Sequence, residues 1–175
     1  LLTVQCAFTR WLEAFPLKRA TGANVAHTLV TEVFPRFGYP SFLKVDRGSH
    51  FLNKEVKELT DLTGIRVLTS PAYHPCSNMI ERSHRTLKSM LTAMILDLSS
   101  GDPASWEDHL PSCLFSFRCL RNKRTGYSPF ELLFVNKPQT ELSLIFGPPP
   151  SRQSYSSKRS FALAHQHHMQ QAYQW

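Results

Sequence analysis

Apolar positions change period several times along the chain, and each change marks an element. Residues 1–7 and 11–17 are rich in β-branched and aromatic side chains, with a break near Thr9-Arg10 and Pro16 closing the second run. That pattern reads as a β-hairpin. Val25, Ala26, Leu29, Val30 and Val33 then recur at helical spacing, which predicts a helix over 23–34 stopped by Pro35 and Gly38. Residues 41–45 form a short apolar strand that delivers Asp46 at its carboxyl end, after which Arg47-Gly48 turns the chain. Asn53 is placed to cap a helix running to Thr63, with Val56, Leu59 and Leu62 inward and Gly64 as the stop. A strand over 65–69 follows.

A loop over 70–77 leads into a long amphipathic helix that Ser77 or Asn78 can cap and that continues to about Leu98. On a helical wheel Ile80, Leu87, Met90, Leu91, Met94 and Leu98 gather on one side. Glu81, Arg85 and Lys88 gather on another, because positions i, i+4 and i+7 stack. A further helix carries Trp106, Leu110, Leu114 and Phe117 inward, and Ser128-Pro129-Phe130-Glu131 is a capping box opening a short helix over 130–134. Helix and strand alternate after the hairpin, so the fold class is α/β, with parallel strands joined by crossovers and an antiparallel hairpin on one side. From Pro148-Pro149-Pro150 onward Ser, Gln, Arg and His dominate. A single domain over 1–147 with a flexible tail over 148–175 is expected. His165, His167 and His168 could chelate a metal weakly, but a solvated polar tract is the commoner meaning of such a run.

Composition narrows the partners. The 175 residues, 42% hydrophobic, suffice for one ordinary core. Twenty Lys and Arg against thirteen Asp and Glu leave a net charge of +7, which favours a polyanion such as nucleic acid. Four cysteines with no C-x-x-C pair support neither a zinc knuckle nor a disulfide framework and suit reduced thiols inside a cell. No apolar stretch approaches the roughly 20 residues that span a bilayer, so no membrane partner is expected. Leu1 lies within an apolar run and is not an initiator Met, which suggests a fragment of a longer protein.

Two isolated carboxylates, Asp46 at a strand end and Glu81 near a helix start, suggest a metal site within a cationic, aromatic and turn-rich stretch. Phosphodiester chemistry needs charge neutralisation where the nucleophile enters and the leaving oxygen departs, and divalent ions held by shared carboxylates supply it. Mg²⁺ takes oxygen ligands and keeps several waters, so acids converging from different elements suit it. The structural alternatives are Asp46 as a turn former and Glu81 as the partner of Arg85 in an i, i+4 pair.

Several ordered blocks add to this. They are Phe8-Thr9-Arg10-Trp11 with Glu13-Ala14-Phe15-Pro16, Arg36-Phe37-Gly38, Asp46-Arg47-Gly48, Tyr73-His74-Pro75, Glu81-Arg82 with Arg85-Thr86-Leu87-Lys88, and Thr125-Gly126-Tyr127-Ser128-Pro129-Phe130-Glu131-Leu132-Leu133. In that order they resemble the integrase catalytic core of long-terminal-repeat retrotransposons and retroviruses, most nearly the Ty3/gypsy branch, over residues 1–147. The resemblance implies a ribonuclease H-like mixed sheet flanked by helices and Mg²⁺- or Mn²⁺-dependent joining of element DNA ends to a target duplex, through two ions held by an Asp, Asp, Glu triad. It implies that Asp46 is the second acid and Glu81 the third. Arg82, Arg85, Lys88, Tyr73, His74 and Asn78 would be DNA-binding, a homo-oligomer would be a plausible partner, and the nucleus would be the place of action.

The family's first Asp belongs to a strand before the one that opens this chain, so the domain is expected to lack its first strand and first metal ligand. Cys6 occupies a second-strand position outside the triad. Asp46 and Glu81 are separated by 34 residues, one fewer than is usual in the family, because His-Pro-Cys-Ser-Asn passes straight to Met79 without a glycine; His84 stands where Asn is common. The loop is expected to absorb the shortening. A second reading is a relic or domesticated nucleic-acid-binding or interaction module that kept the fold and lost the reaction, and a third is a nuclease of the same fold.

Overall fold

The computed structural model describes residues 1–45, 53–69, 78–98, 106–123, 125–140, 145 and 157–173. Strand β1 (Leu2–Gln5) pairs with β2 (Leu12–Phe15), a hairpin shorter at both ends than the hydrophobic runs suggest. Its turn is closed by Cys6 N–H donating to the Trp11 carbonyl at 2.9 Å and Arg10 N–H donating to the Cys6 carbonyl at 3.1 Å.

Helix α1 (Gly22–Thr28) starts on Thr21, whose hydroxyl accepts the Asn24 N–H at 3.3 Å. A π turn (Leu29–Val33) and a short α2 (Phe34–Phe37) continue it, so Pro35 does not stop the helix as its sequence predicts. The reason lies in the preceding turn. Phe34 N–H reaches back to the Leu29 carbonyl, and the widened turn comes just before a proline that has no N–H and crowds the carbonyl four residues earlier. Gly38, at φ 79°, ends the run.

Strands β3 (Phe42–Val45) and β4 (Arg66–Thr69) are parallel, with Phe42 opposite Arg66 and Val45 opposite Thr69. The crossover is α3 (Lys54–Thr63), capped by the Asn53 carboxamide oxygen, which accepts Val56 N–H at 3.1 Å, and ended by Gly64 at φ 69°. Its buried residues are Val56 and Thr60, while Leu62, expected inward, is 88% exposed. Position 62 lies about 600° from Val56 at 100° per residue, off the stripe that positions 56, 59, 60 and 63 define. Then come α4 (Asn78–Leu98), α5 (Trp106–Cys119) and α6 (Pro129–Phe134). Residues 158–173, within the expected flexible tail, form a helix, α7 (Lys158–Tyr173). Ser157 and Ser160 cap it reciprocally, each hydroxyl accepting the other's backbone N–H at 3.1 Å, and its interior is mostly residues without helix-breaking tendency.

The chain divides into two compact units, one of residues 1–4 and 13–110, the other of residues 5–12 and 111–175. In the first, Leu2, Val25, Leu29, Val33, Phe34, Val56 and Ile65 form the core, with Val4, Phe15, Leu43 and Leu59 packed on it. Among the described residues the strands pair as β1 with β2 and as β3 with β4. The second unit holds a ring cluster of Trp11, Phe115, Phe130 and Phe134.

Candidate active site on helix α4

Helix α4 is built from two faces. Ser83 and Leu87 are buried, with Met90, Leu91 and Met94 half-buried along the same stripe. Ile80, expected in that stripe, is exposed. Glu81 lies in the first turn of α4 and is exposed, as are Arg82, Arg85 and Lys88. The structure thus brings the acid and the basic positions to one solvent-facing side, as i, i+4 and i+7 spacing requires. Among the described residues, ion pairs join Arg36 to Glu13 and Glu32, Lys54 to Glu58, and Arg121 to Glu131. The Glu81 to Arg85 pair, the structural alternative for Glu81, is not among them.

Asn78 is the first residue of α4. Asp46, Tyr73 and His74 lie outside the described residues, so only the strand that leads to Asp46 is on view. That strand, β3, ends at Val45 in register with Thr69 of β4, which puts the backbone entering Asp46 at the carboxyl end of a parallel pair, where open α/β sheets place their ligands. Among the described residues no three His, Cys, Asp or Glu side chains group closely enough to hold a metal. Two carboxylates, Asp46 and Glu81, nevertheless have the hard oxygen donors that Mg²⁺ or Mn²⁺ takes. His84, one turn beyond Glu81, hydrogen-bonds through Nε2 to the Thr3 hydroxyl of β1. Sequence reasoning gave His84 no role. The signal available was its position three residues after Glu81 on the same helix.

Two of the motif blocks serve structure rather than chemistry. In Phe8-Thr9-Arg10-Trp11, Thr9 is buried and its hydroxyl accepts Trp11 N–H at 3.2 Å, while Arg10 adopts φ 65°. Cys6, outside the expected site, caps the same turn, its Sγ accepting Thr9 N–H at 3.4 Å. In the block from Thr125, Gly126 at φ 72° closes a turn on Asn122, and the Ser128 and Glu131 capping box forms as expected, with bonds of 3.1 and 2.8 Å. The blocks meet at Trp11, whose ring lies 6.2 Å from Phe130 and 5.4 Å from Phe134. Cys113, on α5, is fully buried, and burial pushes its thiol pKa up.

Residues 1–75 match the family described as integrase core domain. A Gag-Pol polyprotein of avian reticuloendotheliosis virus is 35% identical over 139 residues, which is 79% of this chain and 12% of the polyprotein. The chain therefore spans only a small part of the length of such relatives. Among solved structures, the catalytic core domain of BIV integrase superposes with a TM-score of 0.61 and 25% identity, over 76% of this chain and 84% of that one. The HTLV-2 integrase catalytic core domain, solved with magnesium in a trimeric form, superposes with a TM-score of 0.59 and 17% identity, over 71% of this chain and 78% of its own. The fold is thus the ribonuclease H-like one expected, and residues 1–75 are the part of the chain that matches the integrase core domain family.

Proposed function

We propose that this chain is the catalytic-core portion of an integrase that joins element DNA ends to a target duplex, with Asp46 and Glu81 as two of its metal-binding acids. The observation that carries the reading is the α4 face, where Glu81 sits in the first turn with Arg85 and Lys88 following on the same exposed side. A bound pair of divalent ions would neutralise charge on the attacking and leaving oxygens of the phosphodiester. The carboxylates of Asp46 and Glu81 would hold such ions, and the magnesium in the HTLV-2 core domain supports that choice. Arg82, Arg85 and Lys88 would take DNA phosphates, Asn78, Tyr73 and His74 would be further DNA-binding residues by their motif positions, and the net charge of +7 draws the duplex in. Self-association is supported by the trimeric form of that same neighbour. Action on chromosomal DNA would place the protein in the nucleus, and the ordered motif blocks support an origin near the Ty3/gypsy branch.

Glu81→Gln tests the reading. Without metal the variant should bind duplex DNA as tightly as the parent or more tightly, because a negative charge near phosphates is gone. With Mg²⁺ the parent should gain affinity and the variant should not; an equal gain in both would remove Glu81 from the metal site. The second reading, a DNA-binding module that has lost the reaction, is favoured by the 34-residue spacing between Asp46 and Glu81. Strand joining with Mn²⁺ and a pre-processed DNA end would exclude it.

A further inference from the structure

We propose that His84 is a nitrogen donor beside Glu81, so that the α4 face carries a Glu-x-x-His metal pair favouring Mn²⁺ or Zn²⁺ over Mg²⁺; this rests on the reading of Glu81 as a metal ligand. Glu81, Arg82, Ser83 and His84 occupy successive positions of α4. Residues three apart on a helix are neighbours on its surface, with about 5–6 Å between their Cβ atoms. That spacing lets a carboxylate and an imidazole meet one ion, as Glu-x-x-His pairs do in helical metal sites.

The Thr3 contact supplies the second argument. A histidine that ligates a metal through one ring nitrogen ordinarily donates the N–H of the other to an oxygen, which fixes its tautomer and orientation. Here Nε2 is engaged by the Thr3 hydroxyl. In the tautomer protonated at Nε2 the ring donates to Thr3 Oγ1 and leaves the Nδ1 lone pair for an ion. Both His84 and Glu81 are exposed, so water can fill the remaining coordination positions. Imidazole suits Zn²⁺ and Mn²⁺ better than Mg²⁺, which prefers an all-oxygen shell, so His84 should shift metal preference rather than create metal binding by itself.

Mn²⁺ binding to the full chain, followed by electron paramagnetic resonance with Mg²⁺ affinity measured by competition, tests the idea. The parent should show histidine-nitrogen coupling to bound Mn²⁺. His84→Asn should lose that coupling and bind Mn²⁺ about 10-fold more weakly, with Mg²⁺ affinity changed less than twofold. Thr3→Val should weaken Mn²⁺ binding in the same direction and by less, with circular dichroism confirming that both variants fold. Absent nitrogen coupling in the parent, or unchanged Mn²⁺ affinity in folded His84→Asn, would overturn the proposal. Glu81→Gln separates this failure from failure of the underlying reading. If it abolishes binding of both ions while His84→Asn changes neither, only the histidine role falls; if it changes neither, the metal reading falls too.

Discussion

Gly22 and Asn53 approach so closely that a Cβ built on Gly22 would collide with the Asn53 carboxamide. Gly22 opens α1, and Asn53 caps the helix that carries the chain from β3 to β4. One contact thus links the first helix to the crossover whose strand delivers Asp46. Gly22→Ala should force Asn53 off its cap. Losing the cap costs about 1 kcal/mol, and crowding a packed site adds about 1–3 kcal/mol. Urea unfolding should show a lower midpoint with an unchanged slope, and a midpoint equal to the parent's would show that Asn53 can move aside freely.

Arg118 stacks over Trp11, its guanidinium carbon 4.2 Å from the ring centre, and donates from Nε and Nη2 to the Leu12 carbonyl at 3.0 and 2.8 Å. A lysine can make neither the flat stack nor the forked pair of bonds. Arg118→Lys should therefore destabilise by about 2 kcal/mol, combining a lost charged hydrogen bond with a weakened ring contact. Thermal unfolding followed by Trp fluorescence measures it, and a change under about 0.5 kcal/mol would mean the stack is incidental.

Val135 ends α6 at φ 61°, a left-handed conformation unfavourable for a β-branched residue. Asn tolerates that region better, and the relief is on the order of 1 kcal/mol. Val135→Asn should raise the melting temperature by about 2–4 °C in a chain of this length. A lower melting temperature would mean that the half-buried Val135 side chain contributes more by packing than its backbone costs.

How far the chain could be read from sequence depended on how local the cause was. The Asn53 cap, the Gly64 stop and the Ser128 and Glu131 box were legible because the side chains that set each boundary sit within four residues of it. The π turn ahead of Pro35 was not, since its effect is a small widening that leaves the apolar period nearly intact. Leu62 was misplaced because a hydrophobic residue near the end of a helix was assumed to follow the stripe, although its angle does not. Helix α7 was missed because composition reports how much apolar surface a segment can bury, and its local capping by Ser157 and Ser160 is a separate signal. The face joining Glu81, Arg85 and Lys88 followed from helical geometry alone. The tie from His84 to Thr3 spans 81 positions and has no local trace.

Each described strand pair leaves edges without a described partner, β1 with β2 and β3 with β4. Open edges favour pairing with another chain. Sedimentation at rising concentration should show self-association, strengthened at low denaturant. A monomer at every concentration would argue that these edges are covered.

The salt dependence of duplex DNA binding is the most direct measurement of the α4 face. Every phosphate neutralised by a cation releases counterions, giving a slope of about −0.9 per contact in log affinity against log salt. Arg85→Ala with Lys88→Ala should make the slope shallower by about two units, because both side chains are exposed beside Glu81. The same double variant should fold as the parent does, since neither position is buried. A slope equal to the parent's would contradict the assignment of this face to DNA.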